Sequence, residues 1–189
     1  HCPASPGEAA LRTAQHRVAE KTLAARLGIS TPRFWPVTSA AGLHSALAEL
    51  GGDSILKTCR LGYDGKGQRR VASGEDASEI FGSFGSDDAI LEEKIDFAFE
   101  ISCLVARTQD GRIAHFPVSQ NSHENGILAR TVAPANIPSS LADQARQATA
   151  AIADEVNLFG VLAVEFFVTG DGTLLFNEMA PRPHNSFHW

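Results

Sequence analysis

The C-terminal segment, residues 161–189, constrains the fold more than any other part of this chain. Two apolar stretches flank a Gly-Asp-Gly turn at residues 170–172, and Asp-Gly is a preferred pair for a two-residue hairpin loop. With the Asp-Gly pair in that loop, Glu165 lies opposite Glu178 on the same face of the hairpin, roughly 5 Å apart at Cβ. A loop one residue longer would instead pair Glu165 with Asn177.

Two carboxylates that face each other among Val, Phe and Leu side chains repel strongly unless a positive charge lies between them. A Mg²⁺ ion would supply that charge, since magnesium prefers one or two carboxylates together with phosphate oxygens. The sequence therefore predicts a metal site at Glu165 and Glu178. A hairpin whose glutamates face water is the alternative.

Composition excludes several other classes of function. The chain has 189 residues, 43% hydrophobic and 20% charged, which is typical of one globular domain or two small ones. Its formal net charge of −6 argues against nucleic acid or a membrane surface as a partner, and no apolar run is long enough to span a bilayer. Three scattered cysteines suit a reducing cytoplasm. Because the chain begins without methionine and stops within its densest motifs, we expect a piece of a longer polypeptide.

Local signals predict an α+β layout, because the expected strands form hairpins with helices packed against them. Helices are expected after Pro6 to about Leu27, and near residues 40–50, 76–84 and 141–158. Strands are expected at residues 54–57, 89–95, 99–107 and 112–118, and in the final hairpin. The best boundary between two units lies near Leu91.

A glycine-rich loop, residues 62–67, follows Lys57 at the end of an apolar strand. Glycines let backbone N–H groups surround phosphate oxygens, and Lys57 and Lys66 would add positive charge. The spacing is not that of a Walker P-loop. A simple turn beside a surface lysine is the alternative interpretation.

Two weaker groups lie further along the chain. Glu92, Glu93 and Lys94 end an apolar stretch and Glu100 follows, so a carboxylate there could bind a ribose hydroxyl. An exposed charge cluster would have the same sequence. His123 could bind phosphate or exchange protons near neutral pH, although a histidine in a polar loop usually has no such role.

The loop at residues 180–186 supplies Arg182, His184 and Asn185 directly after Glu178. Arginine is suited to bidentate contacts with phosphate or carboxylate, and the prolines on either side stiffen the loop. This pattern predicts an anion-binding loop beside the metal site.

These motifs, in this order, resemble the 5-(carboxyamino)imidazole ribonucleotide synthetases, which are ATP-grasp ligases of purine biosynthesis. The resemblance rests on LGYDGKGQ at residues 61–68, HENGIL at 123–128, GVLAVEFFV at 160–168 and FNEMAPRPHNS at 176–186, and it extends from His16 to Trp189. It implies an ATP-grasp fold without the family's flanking N- and C-terminal domains. The implied parts are a linker helix in residues 1–30, a small lid subdomain in 31–91 and a catalytic subdomain in 92–189.

The resemblance also implies a role for individual residues. The residues that would bind ATP are Arg17, Lys57, Gly62, Tyr63, Asp64, Gly65, Lys66, Gly67, Gln68, Glu92, Glu93, Lys94, Ile95, Glu100, His123, Asn177 and Glu178. Those that would bind aminoimidazole ribonucleotide are Tyr63, Asp64, Lys66, Arg182, His184 and Asn185. The catalytic residues would be Lys57, Asp64, Lys66 and Arg182. Glu165 and Glu178 would hold Mg²⁺, with Mn²⁺ as an alternative.

The implied reaction is the ATP- and bicarbonate-dependent carboxylation of 5-aminoimidazole ribonucleotide through carboxyphosphate, by a cytoplasmic homodimer without nucleic-acid or membrane partners. Another ATP-grasp carboxylate-amine ligase and an inactive ATP-binding relative are the alternatives, and a fused mutase domain stays open. One residue departs from the family pattern, since Phe187 replaces a glycine. If that position needs a positive φ or a close approach to substrate, phenylalanine is costly there.

Overall fold

The computed structural model describes residues 4–61, 67–124 and 126–188. Two antiparallel sheets form the frame of the molecule, and helices pack against each of them. The predicted α+β class is confirmed. Among the described residues, no helix is both long and apolar enough to cross a membrane.

The chain begins with two helices, α1 (Glu8–Ala14) and α2 (Arg17–Arg26). The prediction of one continuous helix to Leu27 is therefore wrong. The break occurs at His16, whose backbone is extended at φ −143° and ψ 110°. Instead of continuing the first helix, the backbone N–H of Arg17 donates to the carbonyl of Cys59 at 3.0 Å. A tertiary hydrogen bond thus fixes where α2 begins.

A four-stranded sheet follows, in the order β1-β4-β2-β3. Its elements along the chain are β1 (Phe34–Val37), α3 (Ala40–Leu50), β2 (Ser54–Thr58), β3 (Gln68–Val71), α4 (Ala77–Phe84) and β4 (Ala89–Glu93). Both helices have the side-chain N-caps expected of polar residues: Ser39 accepts from the N–H of Gly42, and Asp76 accepts from two N–H groups of α4. Apolar residues of the helices and strands bury the core of this unit.

A larger sheet is built from the remaining strands, in the order β10-β9-β5-β7-β8 with β6 paired to β5. Its elements are β5 (Phe97–Arg107), β6 (Ile113–His115), β7 (Ser119–Glu124), β8 (Ile127–Val132), α5 (Ser139–Glu155), β9 (Gly160–Thr169) and β10 (Leu174–Ala180). A short 3₁₀ helix, Asn185–Phe187, lies near the end of the chain. Helix α5 packs on the sheet through Leu141, Ala145 and Ile152, which confirms the helix expected near residues 141–158.

The two sheets divide after Glu93, at the end of β4. The boundary expected near Leu91 falls inside that strand, because β4 pairs with both β1 and β2 as far as Glu92 and Glu93. The change from one sheet to the other therefore takes place between Glu93 and Phe97.

Candidate functional site

The hairpin of β9 and β10 differs from the predicted one in its loop. Thr169 pairs with Thr173 across a three-residue loop, and the next pairs are Val168 with Leu174 and Phe166 with Phe176. If it continued along the strands, this register would place Asn177 opposite Glu165. The prediction of a two-residue loop is therefore wrong.

A β-bulge between Phe176 and Glu178 then restores the predicted pairing, with Glu178 opposite Glu165. In a bulge two residues of one strand oppose a single residue of its partner. The bulge thus places Asn177 and Glu178 together at the level of Glu165. Phe166 and Phe176 are fully buried, with an edge-to-face contact at 6.3 Å between ring centroids.

Two charged residues of α2 form hydrogen bonds with the main chain on either side of this bulge. The ammonium group of Lys21, which is 0% exposed, donates to the carbonyl of Phe176 at 3.2 Å. The Oε2 atom of Glu20 accepts from the N–H of Met179 at 3.1 Å. Sequence reasoning missed both residues as part of the site, and their only signal is a pair of adjacent charges in an otherwise Ala- and Leu-rich helix.

The pKa values of the two facing carboxylates are shifted in opposite directions. Burial alone would raise the pKa of Glu178, but Arg17, whose Nη1 lies 3.0 Å from Glu178 Oε2, outweighs burial and the pKa is lowered. For Glu165, burial and then the charges of Glu178 and Glu100 raise the pKa to about 8. Its neighbour His184 supplies no counter-charge, since burial and Arg182 lower the pKa of that imidazole to about 4. A cation bound at Glu165 would supply the missing charge.

His184 is held between Glu165 and the C-terminal loop. Its Nε2 lies 3.5 Å from Glu165 Oε1, and its Nδ1 lies 2.7 Å from the Ser186 hydroxyl. The side chain is 6% exposed. The predicted substrate ligand therefore lies beside the carboxylate pair.

Glu92 forms a buried ion cluster with two lysines. Its Oε2 lies 2.9 Å from Lys57 Nζ and 3.4 Å from Lys21 Nζ, and the residue is 2% exposed. Burial opposes the charged form, but the two lysines outweigh burial and lower the pKa of Glu92 to about 2. The Oε1 atom is buried without a hydrogen-bond partner among the described residues. The side chain predicted to bind ATP thus serves as a counter-ion to the two lysines.

The next two predicted residues direct their side chains elsewhere. Glu93 pairs with Arg33, with a nearest separation of 3.1 Å, and Lys94 lies 4.0 Å from Asp53. These four residues line a cavity different from the one bordered by Arg17 and Glu178. Ile95 follows them and is half-buried.

Glu100 and His123 form a pair on neighbouring strands. Nδ1 of His123, on β7, lies 2.9 Å from Glu100 Oε2, on β5. The hydrogen bond with Glu100, and then the charges of Glu100, Glu165 and Glu178, raise the pKa of His123 against its desolvation. His123, which was expected in a polar loop, is therefore on a strand. There it experiences the negative charges of Glu100, Glu165 and Glu178.

The main cavity, of about 540 Å³, opens beside Glu178, between α1, α2, the end of β2 and the C-terminal loop. Arg17, Cys59, Glu178 and Arg182 are among its lining residues. Arg182 is exposed, and its Nη1 donates to the carbonyl of the adjacent Pro183 at 3.0 Å. Asn185 is exposed on the same loop.

Phe187 occupies the family's glycine position without the expected backbone strain. Among the described residues other than glycine, only Leu61 and Asn157 have a positive φ. Phe187 instead donates its N–H to the carbonyl of His184 at 2.9 Å, and its ring contacts Phe116 edge to face at 6.2 Å. A positive φ is therefore not needed here.

The glycine-rich loop is described only at its edges. Gly62, Tyr63, Asp64, Gly65 and Lys66 lie outside the described residues. Gly67 has φ +70°, and a Cβ added there would be 2.7 Å from Thr58 Oγ1, so glycine is required at this position. Gln68 begins β3 opposite Lys57, which places the two ends of the loop side by side.

Known proteins are similar to this chain in sequence and in structure. N5-carboxyaminoimidazole ribonucleotide synthase of Brucella melitensis is 44% identical over 186 residues, which are 97% of this chain and 51% of that protein. The structure of N5-carboxyaminoimidazole ribonucleotide synthetase from Thermus thermophilus matches with a TM-score of 0.91 and 39% identity, over 99% of this chain and 50% of that one.

A third relative was solved with ligands. The Aspergillus clavatus N5-carboxyaminoimidazole synthase in complex with ADP and 5-aminoimidazole ribonucleotide matches with a TM-score of 0.87 and 25% identity, over 98% of this chain and 49% of that one. The chain thus spans about half the length of these relatives. The resemblance inferred from the motifs is confirmed.

The model of the ATP-grasp domain matches residues 22–189, which include both sheets and the carboxylate pair. The chain therefore belongs to the ATP-grasp family.

Proposed function

We propose that this chain is the ATP-grasp portion of an enzyme that carboxylates 5-aminoimidazole ribonucleotide with ATP and bicarbonate, giving 5-(carboxyamino)imidazole ribonucleotide. The observation that carries the proposal is the facing pair of Glu165 and Glu178 beside an exposed arginine loop, in a chain similar to synthases named for this product. The relative that was solved with ADP and 5-aminoimidazole ribonucleotide supports the same substrates.

The carboxylate pair fits a hard divalent cation. Glu165 and Glu178 offer oxygen ligands, as Mg²⁺ prefers, and Glu165 has too little positive charge around it to be ionised easily at neutral pH. These two residues would hold Mg²⁺, or Mn²⁺ as the alternative, with Asn177 beside them. When bound, the cation offsets negative charge on the phosphates of ATP.

The cationic side chains near the pair would bind the nucleotide phosphates. Lys57 lies at the end of β2, next to the glycine-rich loop, and Arg17 begins α2 within the main cavity. Glu92 holds Lys57 in place, while Glu178 holds Arg17. On the other side of the pair, Glu100 would accept hydrogen bonds from the ribose. These groups are preorganised, so little rearrangement would be needed when ATP binds.

The C-terminal loop would bind the imidazole ribonucleotide. Arg182 lines the main cavity and has no carboxylate partner among the described residues. Its guanidinium is therefore available for a phosphate. Asn185 would add a neutral hydrogen-bonding group, and His184 would bridge from the loop to Glu165. Tyr63, Asp64 and Lys66 are proposed to complete the substrate site from the glycine-rich loop.

The arrangement of the whole enzyme is also a proposal. The small sheet would cover the nucleotide as a lid, and the large sheet would carry the metal and the substrate. We expect a cytoplasmic homodimer for the intact protein, which sedimentation equilibrium would test.

The test of function is phosphate release from Mg-ATP and bicarbonate, measured with and without 5-aminoimidazole ribonucleotide, for the full-length protein that contains this chain. Strong stimulation by the ribonucleotide, together with formation of the carboxylated product, is expected. Binding of ATP without any stimulation would contradict the proposal and would leave another ATP-grasp ligase or an inactive relative.

A further inference from the structure

A second group of potential metal ligands lies at the junction of α2 with the small sheet. His16 immediately precedes α2, Cys59 follows β2, and Asp88 precedes β4. One ligand atom from each residue lies within 4.8 Å of the other two. The three residues come from distant parts of the chain, so their meeting is a property of the fold.

Main-chain hydrogen bonds fix the three residues in place. The N–H of Arg17 donates to the Cys59 carbonyl at 3.0 Å, and the N–H of Cys59 donates to the Asp88 carbonyl at 2.9 Å. The backbone that carries each ligand is therefore preorganised, and a bound ion would need to order only side chains.

The side chains already converge. His16 Nε2 lies 3.3 Å from Asp88 Oδ1, while Arg60 Nε lies 3.7 Å from the other carboxylate oxygen of Asp88 and helps to orient it. Cys59 is 2% exposed. The Nδ1 atom of His16 is buried without a hydrogen-bond partner among the described residues, so nothing on that nitrogen fixes the tautomer of the ring.

We propose that His16, Cys59 and Asp88 bind a thiophilic divalent cation such as Zn²⁺, at a site separate from the carboxylate pair. Histidine nitrogen, cysteine sulfur and aspartate oxygen are each zinc ligands, and three protein ligands leave a fourth position for water. Mg²⁺ would be excluded because it takes oxygen ligands almost alone. On binding, the Cys59 thiol releases its proton to solvent and its sulfur coordinates the ion as a thiolate.

The surroundings of Cys59 support selectivity for such an ion. Cys59 is a buried thiol beside Asp88, so an ion that binds its sulfur must displace the thiol proton. Only a cation with a strong preference for thiolate can displace that proton at neutral pH. The positive charges of Arg17 and Arg60 lie near the site and would oppose any divalent cation, so the metal–thiolate bond must outweigh that repulsion.

The site adjoins the proposed active site without sharing a ligand with it. Cys59 lines the main cavity, and Arg17, the residue after His16, is the partner of Glu178. A bound Zn²⁺ would place two positive charges near Arg17. We therefore expect micromolar zinc to slow an ATP-dependent reaction of the full-length protein, while binding itself is measured independently of activity.

The decisive experiment titrates Co²⁺ into the metal-free protein with Cys2 replaced by serine, which removes the thiol outside the described residues. The absorption band of a thiolate–cobalt bond is expected, and Zn²⁺ should abolish it by displacement. The band should be lost in Cys59→Ser and kept in Cys103→Ser, which alters an equally buried cysteine of the large sheet.

Two further variants test the site independently, in case Cys59→Ser does not fold. His16→Gln and Asp88→Asn should each weaken zinc affinity by roughly tenfold or more while the metal-free proteins keep the parental melting temperature. A missing band in the parent, a band that survives in Cys59→Ser, or unchanged zinc affinity in both other variants would overturn the proposal.

Discussion

Glu178 lies opposite Glu165 because Asn177 is an extra residue in strand β10. Without this bulge, the register set by the three-residue loop would place Asn177 alone at that position. Helix α2 contacts both residues that flank the bulge: Lys21 donates a hydrogen bond to the Phe176 carbonyl, and Glu20 accepts one from the Met179 amide. Helix α2 therefore helps to determine where the second carboxylate lies.

The carboxylate pair gives the first prediction. Glu178→Gln should lower ATP-dependent turnover about 100-fold or more, because the lost metal ligand is worth several kcal/mol of transition-state stabilisation. The melting temperature should change little, because the variant loses the ion pair with Arg17 but also loses the repulsion between Glu178 and Glu165. Steady-state rates across a Mg²⁺ titration would measure the effect. Glu49→Gln, at an exposed position of α3, is the matched control, and equal rates for both variants would disprove the metal assignment.

The hydrogen bonds between α2 and the bulge are the basis of the second prediction. Lys21→Met keeps the buried chain length but removes the donor to Phe176 and one of the two cations beside Glu92. Loss of one partner from a buried ion cluster costs about 3–5 kcal/mol of unfolding free energy. Because the bulge loses a contact, the Mg²⁺ concentration needed for half-maximal activity should also rise.

Urea unfolding and a Mg²⁺ titration would measure these two effects. Lys94→Met is the control, since that lysine is exposed and its ion pair with Asp53 spans 4.0 Å. It should change the unfolding free energy by less than about 0.5 kcal/mol. A destabilised Lys21→Met protein with an unchanged Mg²⁺ requirement would mean that the lysine stabilises the fold but does not position Glu178.

The sequence predicted the carboxylate pairing correctly through two errors that cancel. Counting from an Asp-Gly loop omitted one loop residue, and it also omitted the bulge at Asn177, which adds one residue to the same strand. Turn chemistry is local, so the hairpin was predictable. A bulge depends on partners across the sheet and on α2, which no pattern within the strand reveals.

The same limit explains what the sequence did not predict about α2. Periodicity favours one helix, but the carbonyl of Cys59 captures the amide of Arg17 and ends the first helix early. Likewise, the burial of Glu20 and Lys21 is decided by Met179, Phe176 and Glu92, which are distant in sequence. The α3 and α4 helices were predictable because their N-caps and apolar spacing are local, and α5 was predictable from its apolar spacing.

The C-terminal loop gives the third prediction. Arg182→Ala should weaken binding of 5-aminoimidazole ribonucleotide by about tenfold to 100-fold, the loss expected for a charge-assisted hydrogen bond worth about 1.5–3 kcal/mol. ATP affinity should stay the same, because Arg182 lies on the loop side of the cavity. Isothermal titration with each ligand would separate the two effects. A loss confined to ATP would show that Arg182 belongs to the nucleotide site.

The acid stability of the buried cluster at Glu92 gives the last prediction. Lys21 and Lys57 outweigh burial and lower the pKa of Glu92 from 4.5 to about 2 in the folded protein. Above about pH 4.5 the carboxylate is charged in both states and its stabilisation is complete. As the pH falls towards 2, the unfolded chain takes up the proton first, so the unfolding free energy decreases.

Glu92→Gln should remove this part of the acid sensitivity. The variant should be less stable at pH 7 by about 3–5 kcal/mol, because two buried lysines lose their counter-ion. Between pH 4.5 and 2 its stability should fall less steeply than that of the parent, whereas Glu49→Gln should follow the parent. Urea unfolding at a series of pH values measures both slopes. Parallel curves for Glu92→Gln and the parent would mean that Glu92 titrates normally and that Lys21 and Lys57 do not hold its charge.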